Sequence, residues 1–289
     1  MNLIYYRGLN CHLGCVINIA DSLGVNYLDA FGTLWSETDF TEDPRFHIYL
    51  SQRVFPNLEA LGIKREVFNC ASEKQAEESF SLIPEGELFV AGMDTSHIPW
   101  SFVYQTAHEP HYFYARKEKP DSLFCFDPTY NQICSRLAPG GIIPHAFELN
   151  RIHRTAASQL RPATGSEARE ILRKHPETQE TLRTEMNNCK RVERGKIMPL
   201  IRRITAMINN RYLFERFLQQ YSFMSEHDQR FFGRDFFSRW EAVKNGMYKA
   251  SILRNNESVI DETCNLFLNL MREETDMAKE MIVMESGLD

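Results

Sequence analysis

The sequence predicts an α+β fold in two parts, a mixed domain over residues 1–150 and an all-α domain over residues 151–289. Three observations carry this. Short runs rich in Phe, Tyr and Val are confined to the first half, and long charged segments with helical apolar spacing fill the second. The charge is divided as well: residues 1–150 hold 10 Lys and Arg against 19 Asp and Glu (net −9), and residues 151–289 hold 23 against 20 (net +3). A chain of 289 residues also exceeds the usual span of one core, about 100 to 200 residues.

In chain order, HLGCVINIADSL (12–23) places Cys15, Val16, Ile19, Ala20 and Leu23 on one helical face, and Gly24 supplies the stop. A second helix is predicted over about residues 46–61, ending before Gly62, and a third over 72–82. Strands follow at ELFVAG (87–92), HYFYAR (111–116) and SLFCFD (122–127), the last two forming a hairpin around KEKPD. From about residue 150 the β-like runs stop. SEAREILRKH, ETLRTEMNNCKRVERGKIMPLIRRITAMIN, RYLFERFLQQYSFM, RDFFSRWEAVKNGMYKASIL and ESVIDETCNLFLNLMREETDMAKEMI read as helices. Pro162 to Ser166 reads as a linker or cap, and Pro199 should start or kink a helix. Phe231, Phe232, Phe236, Phe237 and Trp240 read as core.

Composition excludes several classes. No apolar run approaches the roughly 20 residues of a membrane span. MNLIYYRGLN lacks the basic and apolar regions of a secretory signal, so a cytoplasmic protein with no membrane partner is expected. A net charge of −6 disfavours nucleic acid. Seven cysteines, at 11, 15, 70, 125, 134, 189 and 264, are odd in number and lack framework spacing, which predicts reduced thiols. GxGxxG, GxxxxGK[ST], HExxH and GxSxG are all absent.

One thiol stands out. Asn10 precedes Cys11, and an asparagine at a helix N-cap accepts hydrogen bonds from the first unpaired amides, placing Cys11 in the first turn. Those amides and the helix dipole favour a thiolate there. Alone, Cys11 could equally be a small buried hydrophobe. The hairpin adds to it: if KEKPD is centred on Lys119, His111 lies opposite Asp127, with Cβ atoms about 4.5–5.5 Å apart. A carboxylate so placed fixes the imidazole tautomer and stabilises its charged form. A cross-strand salt bridge is the other reading of this spacing, and a one-residue slip would break the pairing.

NCHLGC (10–15), followed by a helix and Gly24, resembles the cysteine motif of papain-like bacteriocin-processing peptidases and of the butirosin-biosynthesis H protein N-terminal family. VAGMDTSHIPWSFVYQTAHEPHYFYARKEKPDSLFCFDPTY (90–130) is more similar to the latter, through Asp94, Pro99, His108, His111, Asp127 and Pro128. The resemblance covers about the first 140 residues and implies a papain-like domain. It implies a cysteine-dependent acyltransferase of nonribosomal-peptide or antibiotic biosynthesis, which moves an acyl or aminoacyl group from a carrier-protein or CoA-like thioester to a small amine. Cys11 would be nucleophile, His111 base then acid, and Asp127 its orienter, with no cofactor and no metal. The peptidase branch places a Gln before the cysteine, whereas this chain has YYRGLN, so Asn10 or the Cys11 amide must serve the oxyanion. Asp94 is expected at the amine or pantetheine side of the pocket, or else as a turn residue, and His108 is expected to line the same pocket.

Other readings remain open on sequence. A cysteine hydrolase, either thioesterase or peptidase, would use the same residues. Cys11, Cys15, His108 and His111 are zinc-ligand types, but Pro110 lies within the histidine pair and zinc would consume the thiol. A non-catalytic module would bind an acyl or peptidyl carrier protein through KRVERGKIMPLIRR, where Lys190, Arg191, Arg194, Lys196, Arg202 and Arg203 face one acid, Glu193. Such a run is also an ordinary solvated helix face.

Overall fold

A computed structural model describes residues 3–119, 121–157, 164–190, 194–220, 232–253 and 256–286. The architecture is mixed α+β, with an antiparallel sheet and a C-terminal helical region. The chain divides into two compact units, Met1–Tyr27 with Phe55–Leu160, and Leu28–Val54 with Arg161–Asp289. The division thus differs from a single cut at residue 150. Among the described residues no helix is long and apolar enough to cross a membrane.

The first unit is built on a six-stranded antiparallel sheet. In chain order its strands are β3 (Ile63–Asn69), β4 (Leu88–Asp94), β5 (Pro110–Lys119), β6 (Ser122–Asp127), β7 (Gln132–Leu137) and β8 (Ala146–Arg154), and in space they run β3-β8-β4-β5-β6-β7. Helix α1 (Cys11–Ser22) starts where Asn10 Oδ1 accepts the Leu13 amide at 2.8 Å. It packs on β5 and β4, with the His12 ring stacked on Tyr112 and the Cys15 thiol 3.5 Å from the Tyr112 carbonyl. Helix α3 (Glu73–Ser81), capped by Ser72, contributes Ala76 and Phe80 to a core with Phe89, Ala91, Met93, Phe113, Ala115 and Leu149. Strand alternation explains this set, since every second residue of β4 and β5 turns to the same face.

Four expectations are corrected here. Helix α2 is only Val54–Ala60, and residues 40–51 instead form a hairpin of β1 (Phe40–Asp43) and β2 (Ile48–Ser51). A helix from residue 46 would place Pro56 in its interior, whereas in α2 Pro56 lies in the first turn, where its missing N–H has no partner to lose. His47, at φ 51°, makes the turn that joins β1 to β2.

The second correction concerns register. Tyr114 pairs with Phe126 and Ala115 with Cys125, which sets Asp127 level with Phe113 and not with His111. Lys119 pairs with Ser122, which puts the turn centre one and a half residues beyond Lys119, and the irregularity between Lys117 and Lys119 brings the offset along the strands to two residues. Pro120 lies outside the described residues. Third, β8 runs through residue 150 to Arg154 and pairs with both β3 and β4, so the sheet does not stop at the expected boundary.

Fourth, residues 28–54 belong to the helical unit. There Trp35 is fully buried, with its ring stacked on Phe214 at 5.4 Å, and Glu37 accepts from Asn210 at 2.9 Å. The helices are α4 (Thr164–Asn188), α5 (Arg194–Gln220), α6 (Arg234–Ile252) and α7 (Glu257–Ser286). Helix α4 packs on α7, α6 on both α7 and α5, and β2 on α5. Helix α4 continues through Pro176, joining SEAREILRKH to the segment after it, and Pro199, expected to start or kink a helix, lies inside α5, which runs on to Gln220. Phe232, Phe236, Phe237 and Trp240 are buried, and Phe231 lies outside the described residues, as do Pro162 and Ala163 of the expected linker and Tyr221–Met224 of the expected third helix.

Candidate active site

Cys11, His111 and Asp127 meet at one end of the sheet. His111 is the second residue of β5 and Asp127 the last of the antiparallel β6, so both stand at the same sheet end. The first turn of α1 reaches that end too: a Cβ added to Gly14 would lie 3.5 Å from the Tyr5 ring and 3.9 Å from Pro128. Because the register moved by two residues, His111 and Asp127 remain on one face, now as diagonal neighbours. Their side chains close the diagonal, with Nε2 to Oδ2 at 2.8 Å.

The Cys11 side chain stands close enough to His111 to act, with Asp127, in raising the imidazole pKa. With Nε2 on Asp127, the other ring nitrogen, Nδ1, is free of that carboxylate. His111 is 5% exposed, Asp127 is fully buried and Cys11 is partly open. Burial opposes charge on His111, but the hydrogen bonds and negative charge of Asp127 and Cys11 outweigh it and hold the imidazole pKa at about 9. The site therefore favours the charged imidazole beside the thiol.

Asp127 accepts four hydrogen bonds. Oδ2 takes His111 and Trp100 Nε1, each at 2.8 Å, and Oδ1 takes the amides of Thr129 (3.1 Å) and Tyr130 (3.2 Å). The two amide bonds follow from Asp-Pro opening a turn, which Asn131 completes at φ 52° with its amide on the Pro128 carbonyl. Tyr130 stacks on the His111 ring with centroids 4.8 Å apart. Tyr5 closes another side. Burial raises its phenol pKa, and proximity to Cys11 adds to that.

The remaining sequence candidates behave differently. Asn10 commits its carboxamide oxygen to the Leu13 amide. A developing oxyanion would then be met by the Asn10 NH₂ or by the Cys11 backbone N–H, which has no partner within a helical first turn. Asp94 and His108 pair with each other at 3.0 Å, and Asp94 also caps the 3₁₀ turn Thr95–His97 through the Ser96 amide at 2.8 Å, so both have structural partners of their own. The four zinc-type residues are likewise dispersed: Cys15 is buried with its thiol pKa pushed well up, His108 pairs with Asp94, and His111 is held by Asp127. Among the described residues no three His, Cys, Asp or Glu side chains come together in a way that could hold a metal.

Sequence reading missed Trp100, Tyr130 and Tyr5. A Trp in a polar segment directly after a strand is a usable signal, because a buried indole N–H needs an acceptor and Asp127 was already singled out. The stacking of Tyr130 and the approach of Tyr5 depend on tertiary placement. The basic run of the helical unit is largely spent within that unit: Lys190 pairs with Asp261 (2.6 Å), Arg202 with Glu42 (3.2 Å) and Arg203 with Glu185 (2.9 Å). Arg191 and Glu193 lie outside the described residues.

No protein-family profile matches the chain, and no curated protein matches it.

Proposed function

We propose that the chain is a cysteine-dependent acyltransferase of papain-like type, which takes an acyl or aminoacyl group from a carrier-protein or CoA-like thioester onto Cys11 and passes it to a small amine. The observation that carries this is the placement of His111, with Nε2 on a fully buried carboxylate at 2.8 Å and the Cys11 thiol, at the start of α1, near enough to act on its pKa. The likeness of residues 90–130 to carrier-dependent transferases supports transfer over peptide cleavage. So does the absence of a Gln upstream of Cys11. No metal or cofactor is required by these steps.

The steps balance. The Cys11 sulfur, as thiolate, attacks the thioester carbonyl, and the oxyanion faces the α1 amides. Collapse breaks the donor C–S bond, and the departing thiolate takes the proton of the His111 imidazolium. The amine then attacks the Cys11 thioester and gives a proton to His111. Its C–N bond forms as the C–S bond to Cys11 breaks, which regenerates thiolate and imidazolium. Asp127 holds the ring and its charge throughout.

The test is intact mass after incubation with a small-thiol thioester or an acylated carrier protein, with and without an amine. A Cys11-dependent acyl adduct that amine discharges faster than water supports transfer. Discharge by water alone makes the protein a hydrolase, and a wild type as unreactive as Cys11→Ala, while still binding carrier protein, leaves only a binding module.

A further inference from the structure

Beside Cys11 stands an aromatic corner that these steps leave unused. Tyr130, stacked on His111, is met by the Phe102 ring at 5.3 Å and 76°, an edge-on contact. Phe102 is 84% exposed and Tyr5, across the site, 46%. The segment bearing Phe102 is nonetheless tied down. The amides of Ser101, Tyr104 and Gln105 bond to the carbonyls of Ile98 (2.9 Å), Ser101 (3.1 Å) and Ser96 (3.2 Å), and the Val103 amide bonds to Ser101 Oγ at 3.2 Å. Next to it, Trp100 packs edge-on against Phe113 in the core. A single exposed apolar side chain is ordinary. This one stands on a backbone held by hydrogen bonds and ends a row of rings, His111, Tyr130 and Phe102, that begins at the Asp127-bound histidine.

We infer that Phe102 and Tyr130 form the acyl-side subsite of the Cys11 centre and take an acyl group that carries an aromatic ring a few bonds beyond its carbonyl. The inference rests on reading Cys11 as the acyl carrier. Two rings set nearly perpendicular offer a third ring one stacked and one edge-on contact, the two arrangements that aromatic pairs favour at 4.5–7 Å. The acyl group is the occupant because it stays bonded to Cys11 through both half-reactions and so gains from the corner in each. The amine is required only at the carbonyl, within reach of His111.

The experiment compares acetyl and 3-phenylpropionyl thioesters of one small thiol, following initial rates of Cys11 acylation by mass. Wild type should favour the phenylpropionyl ester by about 10-fold or more in kcat/KM. Phe102→Ala should remove that preference, chiefly through KM, and leave acetyl transfer unchanged, while Phe102→Leu restores only part of it. A wild type without preference, or a Phe102→Ala loss shared equally by both esters, overturns the subsite. Binding of 3-phenylpropionamide to the Cys11→Ala protein separates the two readings. If it binds and the added Phe102→Ala change abolishes binding, yet no ester acylates wild type, the aromatic subsite stands and the transfer chemistry falls. If acylation proceeds and the amide does not bind, the subsite falls and the transfer chemistry stands.

Discussion

Each unit buries a histidine against a carboxylate, and the two pairs differ in what completes them. In the helical unit, His175 Nε2 lies 3.2 Å from Glu274 Oε2, with both residues at most 3% exposed. Arg211 grips both oxygens of Glu274 through Nε and Nη2, donates Nη1 to the Met207 carbonyl at 2.9 Å, and lies 4.3 Å over the Trp240 ring. His175 Nδ1 is 3.4 Å from the Thr275 hydroxyl, which itself donates to the Met271 carbonyl. The cluster joins α4, α5, α6 and α7, and each charge is answered by another. In the sheet unit, Asp127 is as deeply buried, but its histidine is completed by a partly open thiol in place of a cation. A buried His–carboxylate pair is therefore not itself a site. The third partner and its access decide whether the pair holds helices together or serves chemistry.

That contrast is open to attack at both ends. Glu274→Ala leaves the Arg211 guanidinium buried without its counter-charge and should cost about 3–5 kcal/mol, read by urea denaturation with amide exchange resolving α4 to α7. Acylation of Cys11 per folded molecule should not change, and a cost under about 1 kcal/mol would remove the structural role given to this cluster. Asp127→Asn should do the reverse. It keeps the amides of Thr129 and Tyr130 satisfied, but acylation should slow about 1,000-fold, or about 4 kcal/mol in barrier, measured as initial rates. A large stability loss with an unchanged rate would make His111–Asp127 a structural pair as well.

The two units should also respond to opposite ends of the pH scale. The His111 pKa is raised from 6.5 to about 9 in the fold, so its contribution, about 3 kcal/mol, is complete below pH 6.5 and lost as pH rises through 9. The Glu274 pKa lies at about 2: burial would raise it, but Arg211 and His175 prevail, so its contribution is complete above pH 4.5 and lost only as pH falls towards 2. Exchange measured across pH in wild type and His111→Gln checks this, since the variant should lose the alkaline dependence of the sheet unit alone. The smallest effect is expected of Trp100→Phe. Removing one of the four donors to Asp127 should cost about 1 kcal/mol in stability, seen as a shift of the denaturation midpoint, with a several-fold slower acylation.

What the sequence made legible was local. Asn10 before an amphipathic run identifies the start of α1, and aromatic-rich runs around KEKPD locate β5 and β6. The register was beyond reach because the turn is centred past Lys119, where Lys119 pairs with Ser122, and is followed by an irregularity beside Lys117, whose buried ammonium donates to the Phe80 and Ile83 carbonyls at the end of α3. Nothing near Lys117 in the chain announces that contact. Strand β8 was hidden for a related reason: Glu148 and Asn150 look solvent-facing, yet both are buried, with Glu148 accepting from Tyr112 and Asn150. The central His–Asp contact survived the misread register because a two-residue shift preserves which face each side chain occupies.

Residues 28–54 carry a further consequence, for the order in which the protein is made. Translation delivers this segment early, in the middle of a unit it does not join, while two of its buried partners arrive more than a hundred residues later: Glu167 for the Ser36 amide and Phe214 for Trp35. At about 5–20 residues per second, the nascent chain must keep Trp35 and its neighbours unsatisfied for several seconds or more. The same arrangement bars a simple C-terminal truncation near residue 150, since a ribosome stopped there would release the early strands of the helical unit without their helices.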